Sequence, residues 1–91
     1  MFVIFIKQNC RFSQRAVSLI STITRDYEVI DATLMPPSKY QDQLAYYGKP
    51  SNIRHTTYPA IIGYDDHFNV EFFGGCDDLL QYLEQKNSDD F

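Results

Sequence analysis

The sequence predicts an α/β fold: a four-stranded mixed sheet, built in the order β-α-β-α-β-β-α, with helices on both faces. Three observations predict it: an unbroken apolar run at the start, helix-spaced apolar stripes between strand-like runs, and two late strands joined by a turn too short for anything but antiparallel pairing. Phe2-Val3-Ile4-Phe5-Ile6 does not alternate with polar residues, so both of its faces are apolar and it reads as a buried, central strand. Phe12, Ala16, Val17, Ile20 and Ile23 lie on one face of a helix over about residues 12–23. Tyr27-Glu28-Val29-Ile30-Asp31 then closes a β-α-β unit, whose strands should be parallel. Pro36-Pro37-Ser38 announces the second helix, with Ser38 and Gln41 spaced as a capping box, and Gly48 and Pro50 end it. After an irregular stretch to Thr57 come a third strand at Ala60-Ile61-Ile62-Gly63-Tyr64, a turn at Asp65-Asp66-His67 and a fourth strand from Asn69 to Phe73. Gly74-Gly75 breaks that strand, and Asp77 is placed to cap a last helix whose Leu79, Leu80 and Leu83 face the sheet. Residues 1–91 form a single domain, with 87–91 expected as a frayed tail.

Composition removes several functions. A net charge of −4 argues against a surface built to neutralise nucleic-acid phosphates or an anionic membrane. The opening apolar run is too short for a secretory core of about 7–15 residues, and no run approaches the ~18 needed for a membrane span. Two cysteines make no dense disulfide framework, and two lone histidines at no ligand spacing make no metal site, so a cytoplasmic protein with free thiols is expected.

Charge is divided unevenly. Lys7, Arg11, Arg15 and Arg25 stand in the first 25 residues with no acid among them, whereas from Tyr64 onward acids dominate and Lys86 is the one cation. Cys10 lies within the basic part, where a buried strand gives way to a helix. Unpaired amides and the positive end of the helix stabilise a thiolate there, and the nearby cations act in the same direction. Ser13, one turn on, can donate its hydroxyl to the sulfur. A purely structural cysteine needs none of this, so Cys10 reads as a nucleophile and Ser13 as its aid.

The segment Lys7-Gln8-Asn9-Cys10-Arg11-Phe12-Ser13 resembles the active-site turn of the glutaredoxins, K-x-x-C-P-Y-C or K-x-x-C-G-F-S. Further matches follow in the family's order: Tyr40-Gln41-Asp42 with its second helix, Thr57-Tyr58-Pro59 with T-V-P, and Gly74-Gly75-Cys76-Asp77-Asp78-Leu79 with G-G-x-x-D-L. Any one of these is weak; their joint order is specific. The compact length resembles phage- or virus-encoded members.

The resemblance implies a thioredoxin-like fold, whose element order is the one read above. It also implies that Cys10 accepts the glutathionyl group, that Lys7 and Gln41 hold the glycine carboxylate of glutathione, and that Phe12 walls the groove, with Arg11 beside it. Thr57, Tyr58 and Pro59 would form a cis-proline loop whose backbone at Tyr58 pairs with the cysteinyl part. Past Gly75, the amides of Cys76 and Asp77 would take the γ-glutamyl carboxylate, and the Asp77 side chain the ammonium group. Ser13 replaces the second cysteine of the dithiol motif, so the turn is monothiol, yet Arg11 stands where the C-G-F-S branch has glycine, and Tyr58 stands where the family usually has valine.

The expected activity is therefore glutathione-dependent thiol-disulfide exchange on glutathionylated protein thiols, by a monomer with no metal. The alternative is a binding protein in which two copies share a [2Fe-2S] cluster through Cys10 and bound glutathione. Cys76 reads as a small residue whose amide matters, with a resolving thiol as the other reading, and His55 and His67 read as loop residues.

Overall fold

The computed structural model describes residues 1–88, with side chains described as far as Glu84. Its elements run β1 (Phe2–Ile6), α1 (Arg11–Ile23), β2 (Tyr27–Asp31), α2 (Pro37–Tyr47), β3 (Ala60–Tyr64), β4 (Val70–Gly74) and α3 (Cys76–Ser88). The sheet order is β2-β1-β3-β4, with β1 parallel to β2 and antiparallel to β3, and β3 antiparallel to β4. This is the expected thioredoxin-like arrangement, with helices on both faces. The period-two alternation of a strand divides the core in two. Val3, Phe5, Ala60 and Ile62 face α2 and pack with Tyr40 and Leu44. Ile4 and Ile61 face α1 and α3 and pack with Ala16, Ile20, Cys76 and Leu79. Each of the large aliphatic side chains so buried contributes about 1.5–3 kcal/mol. Among the described residues no helix is long and apolar enough to cross a membrane.

Element ends depart from the sequence expectations in four places. α2 starts two residues earlier than a Ser38 cap would set: Pro36 is the N-cap, no side chain caps it, and Pro37 supplies a preset φ with no amide to satisfy. Gly48 closes α2 at φ +124°, where a side chain would also strike Val70. β4 is shifted by one residue, and an irregularity between Ile61 and Ile62 brings Gly74 opposite Ile61. α3 starts at Cys76, with the Gly75 carbonyl accepting its first helical bond, from the Leu79 amide at 3.1 Å, so Gly75 and not Asp77 occupies the cap position. Asn87 and Ser88 of the expected tail continue α3, and Asp89 to Phe91 lie outside the described residues.

Candidate active site

Between β1 and α1 the chain makes one tight turn. The Cys10 amide donates to the Lys7 carbonyl at 3.3 Å, and Asn9 takes φ +59°, a left-handed conformation that asparagine tolerates better than most residues. The turn is tied to the end of β2: the Gln8 amide donates to Thr33 Oγ1 at 2.8 Å and Gln8 Nε2 to Asp31 Oδ2 at 2.7 Å. Hydrogen bonds from Thr33, then Gln8, hold the Asp31 carboxyl below its ordinary value.

Cys10 is the N-cap of α1, with extended φ and ψ, and its carbonyl accepts the Gln14 amide at 3.1 Å while its sulfur caps nothing. Its thiol is held below the ordinary value chiefly by the Ser13 hydroxyl, against an opposing effect of burial, with further help from the Ser13 and Phe12 amides and the Lys7 charge. The Ser13 side chain is buried, 1% exposed, and its oxygen also accepts the Lys7 amide at 3.2 Å. One hydroxyl thus ties the turn and biases the sulfur toward its thiolate. Arg11 is exposed, and the charge of Arg15 acts on Cys76.

The sulfur lies 4.0 Å from the Tyr58 carbonyl oxygen, so it stands beside the loop that precedes β3, whose Tyr58–Pro59 peptide is cis. From there an open groove of about 530 Å³ runs to the start of α3. Six of the expected residues line it: Phe12, Thr57, Tyr58, Gly75, Cys76 and Asp77. Lys7 places its Nζ over the Tyr58 ring, 5.9 Å from the centroid. Gln41 does not cap α2; its Nε2 donates to the His55 carbonyl, joining that helix to the groove wall. Cys10, Arg11, Gln41 and Pro59 are not among the residues that line the groove, and Lys7 and Ser13 line a separate depression beside Gln8 and Asn9.

Two lining residues were not singled out from sequence. His55, read as a loop residue, turns its Nε2 to the Pro59 carbonyl at 3.0 Å and sets its ring edge-on to Phe72. A carbonyl can only accept, so Nε2 carries the proton in this bond. Nothing local in the sequence points to that contact. Asp78 accepts the Gly75 amide through Oδ2 at 2.9 Å, one half of a capping box; an acid three residues after the cap was a readable signal. Gly74, at φ +96°, leaves the space this carboxylate needs, since a Cβ there would sit 2.6 Å from Asp78 Oδ2.

The second cysteine lies in different surroundings. Its side chain is 3% exposed, among Ile4, Ala16, Ile20, Ile61 and Leu79, and burial pushes the thiol up. Both cysteines are free.

Known proteins give the site its context. A family model described as Glutaredoxin matches residues 2–68. Among solved structures, the dithiolic glutaredoxin 2-C-Grx1 from the pathogen Trypanosoma brucei brucei is 28% identical, with a TM-score of 0.62 over 94% of this chain and 78% of that one. A glutaredoxin from Brucella melitensis is 23% identical, with a TM-score of 0.64 over 98% of this chain and 84% of that one, a likeness of fold alone. No curated protein matches the chain in sequence. With the family model spanning most of the chain and a fold shared with those structures, the chain belongs to the glutaredoxin family.

Proposed function

We propose that this glutaredoxin reduces protein-glutathione mixed disulfides, using glutathione as co-substrate and Cys10 as its one reacting thiol. Membership of the family already makes it a thiol-disulfide oxidoreductase. The observation that carries the finer reading is the gathering of Phe12, Thr57, Tyr58, Gly75, Cys76 and Asp77 along one groove, whose Tyr58 approaches, through its carbonyl, a cysteine biased toward its thiolate.

In this reading the Cys10 thiolate attacks the glutathione sulfur of the mixed disulfide. The substrate sulfur leaves as a thiolate and takes a proton from solvent. A second glutathione thiolate then attacks the Cys10-glutathione disulfide, releasing glutathione disulfide and restoring Cys10. Lys7 and Gln41 meet the glycine carboxylate, Arg11 adds charge nearby, Phe12 walls the groove, and the Thr57-Tyr58-Pro59 loop aligns the cysteinyl backbone. Beyond Gly75, the Cys76 and Asp77 amides take the γ-glutamyl carboxylate and the Asp77 carboxylate its ammonium group. Because Asp78 already occupies the Gly75 amide, that amide is not among the donors offered.

Support for a one-cysteine route comes from Ser13 in the active turn and from the burial of Cys76 in the core. Two free thiols suit a reducing compartment such as the cytoplasm. An iron-sulfur cluster takes about four ligands. In the alternative reading two copies would each supply Cys10, the thiol that is not buried, and one bound glutathione as ligands to a shared [2Fe-2S] cluster, and no step is routed through that group.

The test is turnover of a glutathionylated peptide by purified protein with glutathione, coupled to glutathione disulfide reduction. Release of peptide thiol that requires glutathione is expected; release at the uncatalysed rate would overturn the reading.

A further inference from the structure

A column of contacts leads from the core to the mouth of the groove. Tyr40 is 2% exposed, packs edge-on to Phe5 with centroids 6.1 Å apart, and donates its hydroxyl to the Thr57 carbonyl at 2.8 Å. It is therefore fixed at both ends, by packing on one side and by the groove loop on the other. The Tyr58 ring stacks on it at 4.5 Å with planes 17° apart. Lys7 Nζ lies over that ring, within cation-π reach at 5.9 Å, while the Lys7 amide is pinned by Ser13 Oγ. The backbone carbonyl of the same Tyr58 approaches the Cys10 sulfur.

We propose that Tyr58 is a positioning residue: its ring, braced by Tyr40, fixes the Lys7 ammonium at the groove edge so that the glycine carboxylate of glutathione meets a preset cation. The inference rests on the reading in which Lys7 takes that carboxylate. A free lysine side chain loses several rotatable bonds of freedom when it is immobilised on a ligand, and a ring that holds it beforehand removes part of that loss. An aliphatic side chain at position 58 offers the ammonium no π face. Tyr58 thereby couples the two ends of the ligand, its main chain serving the cysteinyl part and its ring, through Lys7, the glycine end.

Calorimetric binding of S-methylglutathione and of S-methyl-γ-glutamylcysteine, which lacks the glycine, tests this without requiring turnover. The proteins compared are wild type, Tyr58→Val, Tyr58→Phe, Lys7→Met and the Lys7→Met/Tyr58→Val double variant, each checked for folding by thermal melting. Loss of the cation-π contact should weaken S-methylglutathione about three- to tenfold in Tyr58→Val. Tyr58→Phe should bind like wild type, the glycine-free ligand should be indifferent to Tyr58→Val, and the double variant should be no weaker than Lys7→Met alone. Equal weakening of both ligands by Tyr58→Val would mean a merely structural role, and no weakening would mean that Lys7 needs no guide; either overturns the inference. A wild type that binds both ligands equally overturns the Lys7 role and the inference together. Discrimination of the two ligands without peptide turnover removes the enzymatic reading and leaves the inference standing.

Discussion

The two cysteines of this chain both stand at the N-terminal end of a helix, yet the fold treats them oppositely. Cys10 caps α1 from outside the helix, its sulfur directed to the loop at Tyr58, where the Ser13 hydroxyl and two amides favour the anion. Cys76 is the first residue of α3, its side chain turned into the apolar layer beneath, and burial favours the neutral thiol although Arg15 opposes this. The start of a helix is thus not sufficient to activate a thiol. What decides is whether the sulfur meets hydrogen-bond donors or methyl groups.

The largest expected effect separates the two directly. Cys10→Ser should lower glutathione-dependent turnover by about a thousandfold or more, to background, since it removes the nucleophile. Cys76→Ser puts a hydroxyl among aliphatic side chains and should cost about 1–3 kcal/mol of stability while sparing turnover of the folded fraction. A Cys76 variant that folds and is as inactive as the Cys10 variant would break the one-thiol mechanism.

Reaction with an alkylating reagent sharpens the contrast. In the native protein one thiol should react about a hundredfold faster than the other, and both should react alike in denaturant. The pH profile of the fast thiol should have its midpoint below the free value of about 8.5. The signs also differ in stability. Cys10, with its pKa lowered by folding, stabilises the native state fully above the ordinary thiol pKa, and this is lost as pH falls through the native value. Cys76, with its pKa raised, contributes fully below the ordinary value, and this is lost as pH rises past it. Equal alkylation rates in the native state would contradict the assignment.

The smallest effect concerns Ser13. Ser13→Ala should move the Cys10 midpoint back toward the free value, and it should also leave the Lys7 amide without its acceptor. That second consequence should cost about 1 kcal/mol, or about 4–8 °C in Tm for a domain of this size. A variant with an unchanged midpoint would show that the amides and Lys7 suffice.

Most of the architecture was legible because it rests on periodicity. The apolar run of β1 and the boundaries of β2 and β3 agree with the structure residue for residue, and α1 differs at its start by about one residue. The places that differ are where local chemistry had two solutions. Ser38 and Gln41 have capping-box spacing, but Pro36-Pro37 starts the helix without a side-chain cap, which frees the Gln41 amide for the His55 carbonyl across the groove. Asp77 and Asp78 can each serve the start of α3, and the geometry of Gly74 and Gly75 selects Asp78. The His55 bond to Pro59 and the stacking of Tyr40 on Tyr58 join segments that local sequence does not relate; they exist only once the sheet has brought α2 and the loop before β3 together.

The central position of β1 has a consequence during synthesis. Phe2 pairs with Tyr27 on one side and with Gly63 on the other, so β1, made before the other strands of this sheet, is completed only once β3 has followed. Until Ala60–Tyr64 emerges, one edge of Phe-Val-Ile-Phe-Ile carries open amides and carbonyls on a segment with no charge and no proline, the pattern that templates strand addition between chains. A nascent chain stalled or cleaved before β3 should therefore aggregate through β1, while the finished protein buries Val3, Ile4 and Phe5 of that same segment.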